Sequence, residues 1–402
     1  MGTLTARAAN PIEAIAQHRK VAKALAWLEK NADWVTQQQI AITEIPAPEF
    51  AEAERAAYMA KLLAASGLTV HKDSAGNAIG VREGASDKNL ILVVAHLDTV
   101  FPRGTDVRVR RVRGRLEAPG ISDNGAGLAT IAALARALDE ASVGTEASIA
   151  FCADVGEEGE GNLRGMRQLL SAYEGRVRAV FAIDGAATDY VTAIALGSRR
   201  FEISVSGPGG HSWSDFGIAN PITAISRGIV EFSRVRVTEE PRTTFNFGLI
   251  AGGNSINSIP AEASVKVDIR SEEEAELARL ESELRKSFAN AVDAEMAASA
   301  VGSLKMKINV IGVRPAGKLP ANSTLLAAIE NVDRYLGNRS RLERSSTDAN
   351  LPLSQGIPAI AIGGGGLGGG SHSLDEWYDP AGRELGLKRA LLAILEMAGV
   401  QS

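Results

Sequence analysis

The strongest constraint on this chain is a recurrence: side chains able to hold a metal ion keep following apolar, strand-like runs. His96 follows NLILVVA, Glu157 and Glu158 follow SIAFCADVG, Asp184 follows AVFAI, His372 comes after IPAIAI, and Asp123 lies in APGISDNGAG. In open α/β sheets, ligands bind in the crevice outside the carboxyl ends of the strands. The pattern therefore predicts one metal site along one edge of one sheet.

From about residue 68 strands and helices alternate: LTVHKD, AIGVRE, NLILVVA, the helix GLATIAALARAL, the strand ASIAFCAD, the helix NLRGMRQLLSAY and the strand AVFAID. This order implies an α/β domain whose mostly parallel sheet carries helices on both faces. Ahead of it, residues 11–67 hold two helical patterns around the loop EIPAPE, the second closed by Gly67. At residue 199 the texture changes, because RFEISVSG alternates apolar and polar as a strand with one wet face does. The stretch that this strand opens reads as βαββαβ, an α+β domain spanning 199–315 and inserted into a host of 1–198 and 316–402.

With 402 residues, 45% hydrophobic and 23% charged, the chain is long enough for two such domains. Its net charge of −5, with both signs interspersed, excludes the basic footprint of a nucleic-acid binder. No apolar stretch reaches the roughly 20 residues of a membrane span. The opening MGTLTARAANPIEAIAQ lacks a secretory h-region, and its likeness to a myristoylation start fails at Ala6. Cys152, the only cysteine, sits in SIAFCAD as a core thiol would. The expectation is a cytoplasmic protein that acts on a small molecule.

Gly363, Gly365 and Gly368 satisfy G-x-G-x-x-G after a strand, yet SHSLDEWYDP stands where a dinucleotide needs a helix N-terminus. The run is expected instead to be a flexible loop that carries His372. In AHLDTVFP, His96 and Asp98 stand two apart in an extended segment and point the same way. Asp98 can then accept the second ring N–H of a ligating His96, although the pair alone also fits a core contact. Asp123 alone fits a helix N-cap, which leaves Gly125 and Gly127 unexplained. Glu157 and Glu158 repel each other unless a cation lies nearby, the alternative being a solvated acidic loop. With Asp184 and His372 added, the inventory suits two ions about 3.5–4 Å apart that share one carboxylate, with one acid over for proton transfer. Mixed N/O ligation without thiolates favours two zinc ions, with cobalt or manganese as substitutes.

AHLDTVFP, the SDNGAG loop, GEEGEGN, the Asp184 strand end and the terminal GGSHS, in this order over nearly the whole chain, resemble the two-zinc exopeptidase family of peptidase T, glutamate carboxypeptidase, aminoacylase and acetylornithine deacetylase. The resemblance implies that Asp123 bridges the metals, that His96 and Asp184 complete one site, and that Glu158 and His372 complete the other. It makes Glu157 the general base and Asp98 the residue that orients His96. The inserted domain resembles the family's lid and dimerisation domain, which implies a homodimer, with His211 in GPGGHSWSDFG stabilising the oxyanion in its own or the partner's site. Asn257 in NSIP and Arg270 in VDIR match positions that contact the substrate, and an Arg fork suits a carboxylate. Read without the family, these are an exposed His, a turn Asn and a strand Arg facing solvent.

Two departures stand out. Ser212 and Trp213 follow His211 where a small Gly is frequent, and RSSTDANLP has Ser345 and Ser346 where peptidase T-like members have glycines. Asp348 is left open between a helix cap and a site residue. The implied activity is removal of a terminal residue from a short peptide, with aminopeptidase or tripeptidase action ahead of carboxypeptidase action because of TDAN. The near alternative is an amidohydrolase of N-acyl amino acids with the same metals. A remote one is a non-catalytic metal-binding descendant, against which stands the retained Glu157.

Overall fold

Four of the apolar runs lie side by side and parallel in the order Ala147–Asp154, Ser86–His96, Val177–Ile183 and Ala359–Ile362. Every residue of Ala147–Asp154 is buried, as a strand covered on both sides must be. Thr69–Lys72 and Ala78–Arg82 extend one side of this sheet antiparallel, and Tyr190–Ala195 extends the other. Because the four central strands share a direction, they finish at one edge, at His96, Asp154, Ile183 and Ile362. The computed structural model describes residues 10–402; the opening that bears on signal and acylation motifs lies outside the described residues.

The described residues separate into two compact units, one of residues up to Ala195 together with Lys318–Ser402, the other Leu196–Gly317. The inserted unit thus begins at Leu196 against the expected 199 and ends at Gly317 against 315. Its sheet runs Thr243–Gly252, Glu262–Ser271, Gly197–Ser206, Lys305–Arg314, antiparallel throughout. In Glu262–Ser271 burial alternates residue by residue, and the helices Pro221–Phe232 and Glu274–Ala298 pack on the sheet through a separate apolar core.

In the larger unit the helix Gly125–Glu140 is buried on nearly all sides, between the sheet and the helices Arg19–Lys30 and Ala32–Thr43. That position explains why GLATIAALARAL is apolar almost all round. The first helical pattern is in fact three helices, Pro11–Gln17, Arg19–Lys30 and Ala32–Thr43, broken at His18 and Asn31. An apolar stripe can continue across a one-residue break, so periodicity does not register it. The second pattern ends earlier than expected, at Ala64, and Gly67 makes the left-handed turn beyond it at φ 70°.

The glycine run corrects a further expectation, since it is packed rather than loose. A Cβ on Gly365, whose φ is 99°, would lie 2.3 Å from the Arg383 carbonyl oxygen, and one on Gly368 would lie 2.1 Å from Ser122 Oγ. Leu367–Gly369 is a strand, paired to Trp377–Asp379 and through it to the hairpin Arg115–Glu117 and Arg110–Val112.

The helix Arg383–Ala398 is fixed to Thr324–Leu336 by a buried ion pair. Arg389 Nε donates to Asp333 Oδ1 at 2.6 Å and its Nη2 to Oδ2 at 3.0 Å. Removing one partner strands the other charge away from water. Arg389→Ala is therefore expected to lower unfolding free energy by about 3–5 kcal/mol, to be measured by denaturant unfolding; a loss below about 1 kcal/mol, the level of a surface pair, would contradict it.

Candidate metal centre

The sheet edge brings together the five candidate ligands. His96 ends its strand, Glu158 stands four residues past Asp154, and Asp184 directly follows Ile183. His372 comes off the small sheet after Gly369, with its backbone in the left-handed region at φ 65°. Asp123 arrives from the loop ahead of the helix Gly125–Glu140, but it is not that helix's cap. Asn124 is, accepting the Gly127 N–H at 3.0 Å, which leaves the Asp123 carboxylate for other work.

That carboxylate faces both imidazoles. Its Oδ1 lies 3.1 Å from His96 Nε2, and its Oδ2 lies 3.3 Å from His372 Nε2. Asp184 Oδ1 stands 3.8 Å from His96 Nε2, and Glu158 Oε1 accepts from His372 Nε2 at 2.8 Å. Two triplets result, His96–Asp123–Asp184 and Asp123–Glu158–His372, each with ligand atoms within 4.8 Å of one another. Cation bonds of about 2.0–2.2 Å to N and O ligands fit such a triplet after little contraction. Glu157 joins a third grouping with His96 and Glu158, so it is at hand without being needed in either triplet.

The ring nitrogens show the electrostatics. Burial alone would pull the His96 pKa down, but hydrogen bonds with Asp123 and Asp184 outweigh it and hold the imidazole well above its ordinary value. Asp123 and then Glu158 lift His372 to about 10. Burial raises Asp123 itself, yet the two imidazoles prevail and hold its carboxyl below the usual range.

Asp98 has a different task from the expected one. His96 Nδ1 meets the Asp98 backbone oxygen at 3.0 Å, whereas the carboxylate is 4.0 Å off. The carboxylate instead accepts the backbone N–H of Glu157 at 3.0 Å and of Glu158 at 2.7 Å, fixing the turn that carries both acids. The contact of Asp98 with His96 is thus through its carbonyl and not its carboxylate.

Two positioning residues, Arg55 and Glu376, and one buried acid, Asp154, are not among the residues expected from the sequence. Arg55, fully buried, donates to the carbonyls of Leu97 at 2.8 Å and Ile45 at 2.9 Å and thereby pins the His96–Asp98 segment; burial pulls its pKa to about 10. Glu376, fully buried, accepts three backbone N–H groups of the Asp123 loop, while burial pushes its carboxyl up to about 7 against the pull of the Asp123 and Gly120 N–H groups. Asp154, opposite His96 in the register, has carboxyl oxygens that meet no donor but the carboxyl of Asp348. Burial moves Asp154 to about 7 and Asp348 well above its ordinary value. Asp348 is thus a buried acid partner and not a helix cap. A Glu four residues past a candidate His, or an Asp inside an apolar run, was the available signal for the two acids.

In the inserted unit, His211 and Asn257 come together. His211 pairs with Ser258 across two short strands, and Ser212 donates its N–H to the Asn257 carbonyl at 3.0 Å. His211 Nδ1 accepts the Trp213 N–H at 3.2 Å, so the ring proton belongs on Nε2. Trp213, which stands where a small Gly is frequent, is 88% exposed, so it does not crowd its own unit. Arg270 is not part of this pair. It lies eight residues along the strand from Glu262, on the order of 25 Å at strand rise, and its Nε donates to Asp268 at 2.6 Å.

Comparison with known proteins agrees with this geometry. Residues 92–396 match the model of peptidase family M20/M25/M40. The chain belongs to that family. The Bacillus subtilis (strain 168) protein YqjE is 26% identical over 297 residues, 72% of this chain and 76% of that one. Among solved structures, a tripeptidase of Staphylococcus aureus subsp. aureus Mu50 superposes with a TM-score of 0.75 at 19% identity, covering 92% of this chain and 99% of that one. Aminopeptidase PepT of Bacillus cereus ATCC 10987 gives 0.73 at 20% identity over the same shares. This M20 chain is accordingly a metal-dependent peptidase or amide hydrolase, and no helix among its described residues is long and apolar enough to cross a membrane.

An imidazole must lose its proton to bind a metal, and Asp123 and Glu158 hold the proton on His372 up to about pH 10. Metal binding near neutral pH is therefore expected to release on the order of one to two protons, and affinity to rise with pH toward that value. Calorimetric titration with a divalent metal in buffers of different ionisation enthalpy reads this directly; identical heats across buffers would contradict it.

Proposed function

We propose that this M20 enzyme is an exopeptidase that holds two zinc ions and removes a terminal residue from short peptides. The observation that carries the reading is the division of the Asp123 carboxylate, one oxygen toward His96 and Asp184, the other toward His372 and Glu158. Two ions in such a site supply a Lewis acid for the amide carbonyl and an acidified water. Glu157 is 5% exposed and belongs to neither triplet, so it is the acid left to take the proton of the attacking water and return it to the departing amine. His211 fits the same reaction as a donor to the developing oxyanion, since its Nδ1 already accepts a backbone N–H and Nε2 is left to donate. Asn257, held beside it, is a second polar contact for substrate. Arg270 would bind a substrate carboxylate only by exchanging its Asp268 partner.

The TDAN stretch at 347–350 supports free-amine peptides ahead of N-acyl amino acids as substrates. Hydrolysis of di- and tripeptides, N-blocked peptides and N-acetyl amino acids, before and after chelation and metal add-back, tests this choice. Metal-dependent cleavage of unblocked tripeptides is expected; cleavage of N-acetyl amino acids alone would make the enzyme a deacylase, and cleavage of nothing by a metal-loaded chain would sink both. Glu157→Ala is expected to keep its metal content and lose turnover by several powers of ten.

A homodimer through the inserted unit belongs to the same proposal. Thr243–Gly252 is an edge strand on which Leu249 and Ile250 are 64% and 62% exposed, an apolar edge suited to a second copy of the chain. Sedimentation at working concentration is expected to give a dimer, and Leu249→Lys with Ile250→Lys a monomer; a wild-type monomer with full activity would refute the contact.

A further inference from the structure

Two candidate ligands stand off the main sheet: His372, which leaves the small sheet, and the bridging carboxylate of Asp123, which no strand carries. His96 ends a strand, and Glu158 and Asp184 follow strands whose backbones are fixed by ladder hydrogen bonds, whereas Asp123 hangs in a loop. Its two oxygens nevertheless face two imidazoles, Oδ1 3.1 Å from His96 Nε2 and Oδ2 3.3 Å from His372 Nε2.

Glu376 supplies the missing constraint. Its Oε2 accepts the Gly120 N–H at 2.8 Å, its Oε1 accepts those of Ser122 at 2.7 Å and Asp123 at 2.8 Å, and its backbone oxygen accepts that of Ala118 at 3.1 Å. The side chain is fully buried, so no water competes for these donors. Hydrogen bonds from N–H groups to a carboxylate are roughly twice as strong as neutral ones. Glu376 also stands four residues after His372, so one segment both presents the second imidazole and grips the loop that presents the shared carboxylate. On the other flank, Asn124 Nδ2 donates to the Ile183 carbonyl at 2.8 Å and Oδ1 accepts the Gly185 N–H at 3.3 Å, the two residues around Asp184.

We propose that Glu376 is a positioning residue for the bridging carboxylate: its two acceptor oxygens, not its bulk, aim the Asp123 oxygens at the two ion positions. The inference rests on the two-ion reading of the site. A Gln at 376 keeps the shape but replaces one acceptor by an NH2 group, which then faces an N–H. An Asp keeps the charge but is one methylene short of spanning Gly120 and Asp123.

The test compares the wild-type chain with Glu376→Gln and Glu376→Asp by equilibrium dialysis against zinc, by the visible spectrum of the cobalt-loaded proteins, and by kcat and KM. Both variants are expected to bind the ions about 10–100-fold more weakly, to show an altered cobalt spectrum, and to lose kcat with little change in KM. Unchanged affinity, spectrum and kcat in a folded Gln variant would overturn the proposal. If Gln fails to fold, the Asp variant decides by the same readouts, and failure of both to fold assigns Glu376 a purely structural role and overturns it too. A wild-type chain that binds no divalent ion would instead refute the two-ion reading, so the two failures are distinguishable.

Discussion

The structure turns on a crowding of negative charge. Asp123, Asp184, Glu157 and Glu158 converge on two imidazoles at one sheet edge, and each of these acids shares a group of possible ligands with His96 or His372. Two carboxylates about 4 Å apart repel by about 4 kcal/mol at the effective dielectric of a partly buried site. A fold does not gather such groups without positive charge between them. The raised His96 and His372 pKa values are the protein's own partial answer, since a proton on each ring stands where a cation would.

Everything that surrounds the cluster serves to hold it against that repulsion. The four parallel strands end together, so three ligand-bearing segments begin from backbones already fixed by ladder bonds. The turn after Ala147–Asp154 would spring open under the charges of Glu157 and Glu158, and the Asp98 carboxylate holds it by both N–H groups. Arg55 fixes the Leu97 carbonyl one residue from His96. The packed glycine run brings the last segment close enough for His372 to reach Asp123, because a side chain at Gly368 would strike Ser122.

Much of this is legible in the sequence, and the part that is not has a common cause. Long apolar runs announce parallel strands, and a His or acid after them announces a site at their shared edge; the residue pattern gathers His96, Asp123, Glu157, Glu158, Asp184 and His372, and the family resemblance sorts them into ligands and base. The strands Leu367–Gly369, Trp377–Asp379 and Arg115–Glu117 have three residues each, too few to show a period of two, so the small sheet that carries His372 stays hidden. The carbonyl of Asp98 is missed because side-chain spacing speaks only of side chains. Arg55 acts on backbone groups far away in sequence with nothing local to distinguish it, and the spacing of Glu376 from His372 does not reveal the distant loop it grips. Glycines in a row suggest looseness, although the same absence of Cβ permits the closest packing.

The charge balance extends one layer behind the ligands. Asp154 and Asp348 are both buried, and each offers the other its carboxyl where no donor is near. Two ionised carboxylates repel strongly in that pocket, and burial together with neighbouring acids raises both carboxyls above their ordinary range. The pair therefore carries less negative charge behind His96 and Glu157 than two ionised carboxylates, which would have added to the repulsion the front of the site already bears. Placing an acid pair there, in place of a Lys or Arg that would neutralise it outright, leaves the positive charge of the site to be supplied from the open edge of the sheet.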